Sequence, residues 1–436
     1  MKKKKLVILS VLLCFVLSGC GSRSGEKVMS LNAIDIPEET SGEPAGSGRQ
    51  DEGARLPAGS TAGEAADGEE VSGGESGSGQ GYNNQPDSSS RSEAGDTKGT
   101  EAAAEPKSTQ EPEDTGYDFT MCFAGDINLD ENWCTTQFMS AQENGIYDCI
   151  SEELVTAMQE ADIMCLNNEF TYSTGGAPLP NKLYTFRANP ERVEVLHQLG
   201  VDVVTLANNH VYDYGPESML DTFDVLEEAE IPYFGAGRTL ADARKPLYLE
   251  IQGKTVALVG ASRAEKYKMT PQATDTEPGI LRCYDPELFL ETIREAKENS
   301  DFCIAFVHWG KEDSFELEEV MPETGKQYLD AGADAIIGAH PHRLQAMEYY
   351  DGKPIIYSLG NYWFNEETLD TMLIRLHFTG DDASSQLTVQ VIPAVQAGYK
   401  TTYASDAAEQ RRIYDFLEGL SPNVSISDEG IVSEVR

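Results

Sequence analysis

Positive charge is what this 436-residue chain has least of. Its 33 lysines and arginines stand against 74 aspartates and glutamates, a formal charge of −41. So acidic a surface repels phosphate backbones and anionic headgroups, which argues against nucleic acid or an anionic lipid surface as partner. It also repels anionic substrates unless a local cation reverses the field. Histidine is scarce, with six in all. Cysteine occurs eight times, but never as CxxC or in a zinc-finger spacing, which speaks against a structural zinc site. The leading apolar run, Leu6 to Leu17, is short of the roughly 20 residues that a membrane-spanning helix needs.

That run has a different reading. Lys2 to Lys5 precede it, and Leu17-Ser18-Gly19-Cys20 follows. A basic start, a short apolar stretch and small residues before a cysteine look like a bacterial lipoprotein signal. Residues 1–20 are then a leader, and Cys20 becomes the lipidated first residue. The expectation is an exported protein held by acyl chains at the extracytoplasmic face of the cell membrane. Loss of the four leader lysines takes the charge to −45.

Residues 21–116 lack aromatics, Tyr82 excepted, and are rich in Gly, Ser, Glu, Pro and Ala. Such a stretch buries too little apolar surface to offset its ordering entropy. It reads as a disordered tether with an end-to-end distance of roughly 50–60 Å.

From Tyr117 the pattern changes. Apolar strand-like runs alternate with amphipathic helical ones through residue 436, which reads as one α/β domain. Its 22 basic and 54 acidic residues leave −32. Cys122, Cys165 and Cys303 lie inside apolar runs and read as small buried hydrophobes. Cys134 and Cys149 flank a polar loop and form the leading disulfide candidate, since export permits disulfides.

The chemistry gathers where the apolar runs stop. Ile336-Ile337-Gly338-Ala339 ends in His340-Pro341-His342, and a loop leaving a strand can aim both imidazoles at one point. Four other strand ends carry Asp126, Glu169, Asn209-His210 and His308. In open α/β sheets, sites form outside the carboxyl ends of strands. Carboxylate, amide and imidazole without thiolate suit a divalent metal such as Mn, Zn or Fe. His197 and His377 fall outside the set. Lys311, Arg187, Arg263 and Arg343 lie near motif ends and are candidates for holding an anion.

As an ordered set, six motifs resemble the CapA family, named for poly-γ-glutamate capsule synthesis. They are Ala124-Gly125-Asp126, Asn167-x-Glu169, Ala207-Asn208-Asn209-His210-x-x-Asp213-x-Gly215, His308-Trp309-Gly310, Gly338-x-His340-Pro341-His342 and Ser358-Leu359-Gly360-Asn361. That family is similar in turn to the calcineurin-like metallophosphoesterases. The resemblance covers 117–436. It implies a four-layer α/β/β/α sandwich with a dinuclear metal site. Glu169 would bridge the ions; Asn209, His308 and His340 would hold one, and Asp126 and His342 the other. His210 would protonate the leaving group, with Asn167, Asn208, Asp213 and Asn361 lining the site. The phosphoesterases usually carry Asp-x-His at the first motif. Asn128 stands there instead, a poor ligand, so a one-metal site is also open.

Two functions follow as expectations. One is a metal-dependent, phosphoesterase-like hydrolase at the cell surface, acting in poly-γ-glutamate synthesis or export. The other is a non-catalytic accessory protein that binds the anionic polymer within a membrane synthesis complex. A plain solute-binding lipoprotein shares the address but needs no such set of metal ligands.

Overall fold

Alternation along the first strand, Tyr117–Ile127, sends its side chains into two different cores. Phe119, Met121 and Phe123 face one way, Cys122 and Ala124 the other, as the two-residue repeat of extended chain requires. The structure, a computed structural model, describes residues 116–265, 269–381 and 383–435. The leader, Cys20 and the expected tether through residue 115 lie outside the described residues.

Two sheets carry the fold. In the larger, Tyr117–Ile127, Ile163–Asn168, Val203–Thr205 and Tyr233–Phe234 run parallel in that order. Leu369–Gly380 and Ser385–Ala397 extend the same sheet as antiparallel strands on its other side. In the smaller sheet, Lys254–Ser262, Phe302–His308, Ala335–Ala339 and Lys353–Ile356 are parallel neighbours. Strand, helix, then a parallel strand beside the first is the pattern expected from the sequence, and it builds both halves.

Three cores make four layers. Between the sheets, Phe119, Met121, Phe123, Cys165 and Val203 meet Val256, Leu258, Ile304, Phe306 and Ile337. The outer face of the larger sheet packs Met164, Leu166 and Val204 against Leu154, Met158, Leu196, Phe223 and Leu226 from three helices, Glu152–Gln159, Glu194–Leu199 and Gly215–Glu228. The outer face of the smaller sheet packs Cys303, Ala305, Val307 and Ile336 against the helices Glu287–Glu298 and Val320–Asp330, through Phe289, Ile293, Tyr328 and Leu329. The order is helix, sheet, sheet, helix, the α/β/β/α sandwich that the resemblance implies. Each large side chain fully buried in these layers contributes roughly 1.5–3 kcal/mol. The inter-sheet core thereby holds the strand ends of both sheets in fixed relation.

Several local expectations are corrected. Helical spacing begins at Asp148 in the sequence, yet the helix starts at Glu152. Asp148 instead ends a short 3₁₀ turn, Gly145–Asp148, and the chain then runs extended where Ile150 bridges Thr401 and Ser151 N–H donates to the Thr401 carbonyl. A single strand is expected over Ile355 to Leu359. Instead Lys353–Ile356 ends early and Asn361–Trp363 crosses to the larger sheet, pairing with the first strand. Cys134 and Cys149 are both free thiols. Cys134 Sγ lies 3.0 Å from Glu366 Oε2, and Cys149 Sγ points at the Gly145 carbonyl.

Candidate metal centre

Two close approaches of backbone make the site compact. A Cβ at Gly125 would sit 2.0 Å from the Gly360 carbonyl oxygen, and one at Gly338 would sit 2.0 Å from that of Tyr357. Only glycine lets these segments touch. As a result Asp126 lies in register with Asn167 on one side and Asn361 on the other. His308 closes its own strand opposite Ala339. The next strand ends at Ala339, so His340 and His342 belong to the loop beyond it. Both have left-handed backbone, φ 101° and 56°, a conformation that costs a residue with a Cβ roughly 1–3 kcal/mol. Those turns, rather than the strand pleat, bring the rings inward. His340 lies 4.7 Å from His308, ring centre to ring centre, and 6.2 Å from His342.

Two groups of ligand atoms result. Glu169, His308 and His340 offer one atom each, all within 4.8 Å of one another, and Asp126, Glu169 and His342 do the same. Glu169 belongs to both. Among the described residues its Oε1 finds no hydrogen-bond partner, nor does Nδ1 of His340, and both residues are buried. A buried polar atom without a partner costs on the order of 1–3 kcal/mol, more for a charge. A cation between these groups removes that cost, so the donor set fits a divalent ion.

The electrostatics agree. Burial, then the neighbouring Asp126, pushes the Glu169 carboxyl well above its usual range. A bound cation would reverse that. Burial drives the His340 imidazole down to about 3 and takes His308 well below its ordinary value. Both are therefore neutral, the form that ligates. At His342, burial is outweighed by the Asp126 carboxylate 3.0 Å away, and the ring is raised.

Amides hold the ligands. Asn167 Nδ2 donates to Asp126 Oδ1 at 2.7 Å and Glu169 Oε2 at 3.1 Å, and lies 3.3 Å from His308 Nδ1. Asn209 Oδ1 sits 2.7 Å from His308 Nε2, and Asn361 Oδ1 sits 2.8 Å from His342 Nδ1. Asn208 donates to Asn167 Oδ1 and accepts from the backbone N–H of His210 and Val211. Asn128 is different. Its Oδ1 closes a turn on the Asp130 N–H at 2.8 Å, the Asx geometry usual for asparagine.

His210 stands beside the cluster. Its Nδ1 is 2.6 Å from Asp213 Oδ2, and its ring packs 4.4 Å from Phe186. It opens, with His342, onto a cleft of about 180 Å³ walled by Trp133, Tyr184, Phe186 and Phe364.

The four cations expected to hold an anion are placed otherwise. Arg187 donates to the Gly175 carbonyl and covers the Tyr214 ring. Arg263 stacks on Tyr284, and with Lys311 it lines a different hollow. Arg343 pairs with Asp313 and Glu367, two acids of the cleft's rim. Arg343 thus stays at the cleft's mouth but is tied to acids, and Arg263 keeps its backbone bond to the His308 carbonyl while its side chain turns to Tyr284. His197 is exposed, and His377 pairs with Asp118, both away from the cluster as expected. The aromatic walls and Lys182 were missed: Lys182, Tyr184 and Phe186 share one loop, and Trp133 and Phe364 join them from two distant ones, a meeting that no local window contains.

Residues 120–366 match the family model described as bacterial capsule synthesis protein PGA_cap. The PGA biosynthesis protein CapA of Bacillus subtilis (strain 168) is 34% identical over 214 residues, 48% of this chain and 55% of that protein. The capsule biosynthesis protein CapA of Bacillus anthracis is 34% identical over 235 residues, 52% of this chain and 56% of that protein. The chain thus spans little more than half the length of these curated relatives. Among solved structures, a hypothetical protein from Thermus thermophilus aligns with a TM-score of 0.36 at 15% identity, covering 62% of this chain and 99% of that one. With more than half of its length inside the family model, and the six motifs within or against one shared edge of two sheets, the chain belongs to the bacterial capsule synthesis protein (PGA_cap) family.

Proposed function

We propose that the Glu169-centred cluster holds one or two divalent ions, and that the protein is a metal-dependent hydrolase of the phosphoesterase type. It acts at the outer face of the cell membrane in the synthesis or export of an anionic polymer such as poly-γ-glutamate. The observation that carries this is the sharing of Glu169 between two His/Asp/Glu groups, with Glu169 Oε1 and His340 Nδ1 buried and without a hydrogen-bond partner among the described residues. Nitrogen and oxygen donors without sulfur suit Mn, Zn or Fe. Such an ion, when bound, supplies a Lewis acid that activates water and offsets the charge of an anionic transition state.

The protein's own groups do the rest. Asp213 fixes His210 by its Nδ1 and leaves Nε2 to deliver a proton to the departing oxygen. Asn167 and Asn361 keep the ligand side chains from rotating. The aromatic walls of the cleft give the leaving group an apolar face. The membrane address rests on the leader ending at Cys20. Among the described residues no helix is long and apolar enough to cross a membrane.

Metal analysis of the purified protein, with turnover of bis(4-nitrophenyl) phosphate, tests the reading. One to two equivalents of Mn, Zn or Fe are expected. His210→Ala should keep the metal and lose about 10²–10⁴ in kcat. Absence of metal contradicts the reading. Metal without turnover of any phosphoester favours a second one, a non-catalytic polymer-binding accessory protein. That alternative draws on Asn128, whose commitment to a turn leaves one ion with three protein side chains.

A further inference from the structure

A buried lysine lies behind the His210–Asp213 pair. The Lys182 side chain is only 4% exposed. Its Nζ forms ion pairs with Asp213 Oδ1 at 2.8 Å and Glu265 Oε1 at 3.3 Å, and it donates a hydrogen bond to the Asn209 carbonyl. Three oxygens from three separate residues therefore surround one ammonium. Asp213 is engaged on its other oxygen too, where Oδ2 meets His210 Nδ1 and accepts from the Phe186 N–H at 2.7 Å. The loop that carries Lys182 is tied to the same segment again by the Leu179 N–H, which donates to the Asp213 carbonyl at 2.8 Å.

Among the described residues, Asp213 Oδ1 is held by Lys182 alone. Removing the ammonium takes away the restraint on Oδ1, leaves the carboxylate pinned through Oδ2 only, and leaves its charge buried without its cation, which is costly. The Asn209 carbonyl would keep the Thr270 hydroxyl, which donates to it at 2.7 Å, so the amide ligand next to it stays supported. The effect of Lys182 therefore falls on His210.

We infer that Lys182 is a positioning residue, clamping Asp213 so that the His210 imidazole is aimed at the leaving group. This rests on the proposed proton transfer by His210. Lys182 reaches the chemistry through Asp213 rather than by touching the reacting groups.

The test pairs two readouts on the purified full-length protein. The first is the leaving-group dependence of turnover, comparing methyl 4-nitrophenyl phosphate with methyl phenyl phosphate. The poorer leaving group needs the proton more, so Lys182→Met should lose at least about 10-fold more on the phenyl ester than on the nitrophenyl ester. Adding Lys182→Met to His210→Ala should cost nothing further. The second is the Nδ1 proton resonance of His210 in the metal-free protein, which needs no activity. In Lys182→Met it should move upfield toward its position in Asp213→Asn. Should Lys182→Met not fold, Lys182→Gln, which keeps a donor without the charge, should show both effects in smaller degree. Equal losses on both esters, or an unmoved resonance in a folded Lys182 variant, would overturn the inference. Lack of turnover in the wild-type protein would count against the hydrolase reading alone, and the resonance would then decide the role of Lys182.

Discussion

Asn128 and the histidines separate ligands from bystanders. A side chain whose oxygen already closes a turn offers a metal little. The buried Nδ1 of His340, without a partner among the described residues, offers it a great deal, and His308 lies against the same Glu169 carboxylate. His308→Ala and His340→Ala are each expected to weaken metal binding by about 10-fold or more, in line with the sensitivity of metal sites to their supporting residues. Asn128→Ala should change it by no more than about 2-fold. Equilibrium dialysis with Mn or Zn distinguishes these cases, and equal losses at all three positions would contradict the assignment. The residue types at the strand ends were legible in the sequence, because six histidines leave few ways to build an imidazole cluster. The bond that ties Asn128 to the Asp130 N–H was not, since a turn and a ligand use the same side-chain oxygen.

At the scale of elements, the site exists because five strands end, and a crossing segment begins, on one edge. Gly338 is the tightest joint. A methyl group there meets both the Tyr357 carbonyl and Trp309 Nε1, the latter at 2.6 Å. Gly338→Ala should destabilise the fold by at least about 2 kcal/mol, the usual cost of forcing volume into a packed core. Urea unfolding followed by circular dichroism measures it, and a midpoint equal to wild type would show that the strands move apart freely. Most elements could be read beforehand. Apolar runs of strand length ending in glycine or a polar cluster became the central strands, and Gly200 ends its helix in the left-handed conformation expected of a glycine stop. The features absent from local sequence depend on long-range pairing. The helix that waits until Glu152 follows a bridge to Thr401, and the crossing at Asn361–Trp363 is fixed by its register with Asp126 and Ile127. No window of local sequence contains such partners. The same holds for Lys182, whose three partners lie 27 to 83 positions downstream.

For the whole molecule, charge and architecture make opposite demands. The region from Tyr117 on carries −32, yet its two sheets bring Asp126 and Glu169 together in the interior, with Glu169 pushed toward its protonated form. The proposed divalent cation would reconcile the two. It would stabilise the buried carboxylates and give an acidic protein one place where an anion is welcome. Membership of the capsule synthesis family sets the biological frame, and the lipid-anchored location is a proposal resting on the leader. Anomalous diffraction from crystals grown with Mn bears on the central claim most directly. A peak is expected among the side chains of Glu169, His308 and His340, with any second peak among Asp126, Glu169 and His342. Peaks confined to surface carboxylates such as Glu316, Glu318 and Glu319, with none against Glu169, would contradict it.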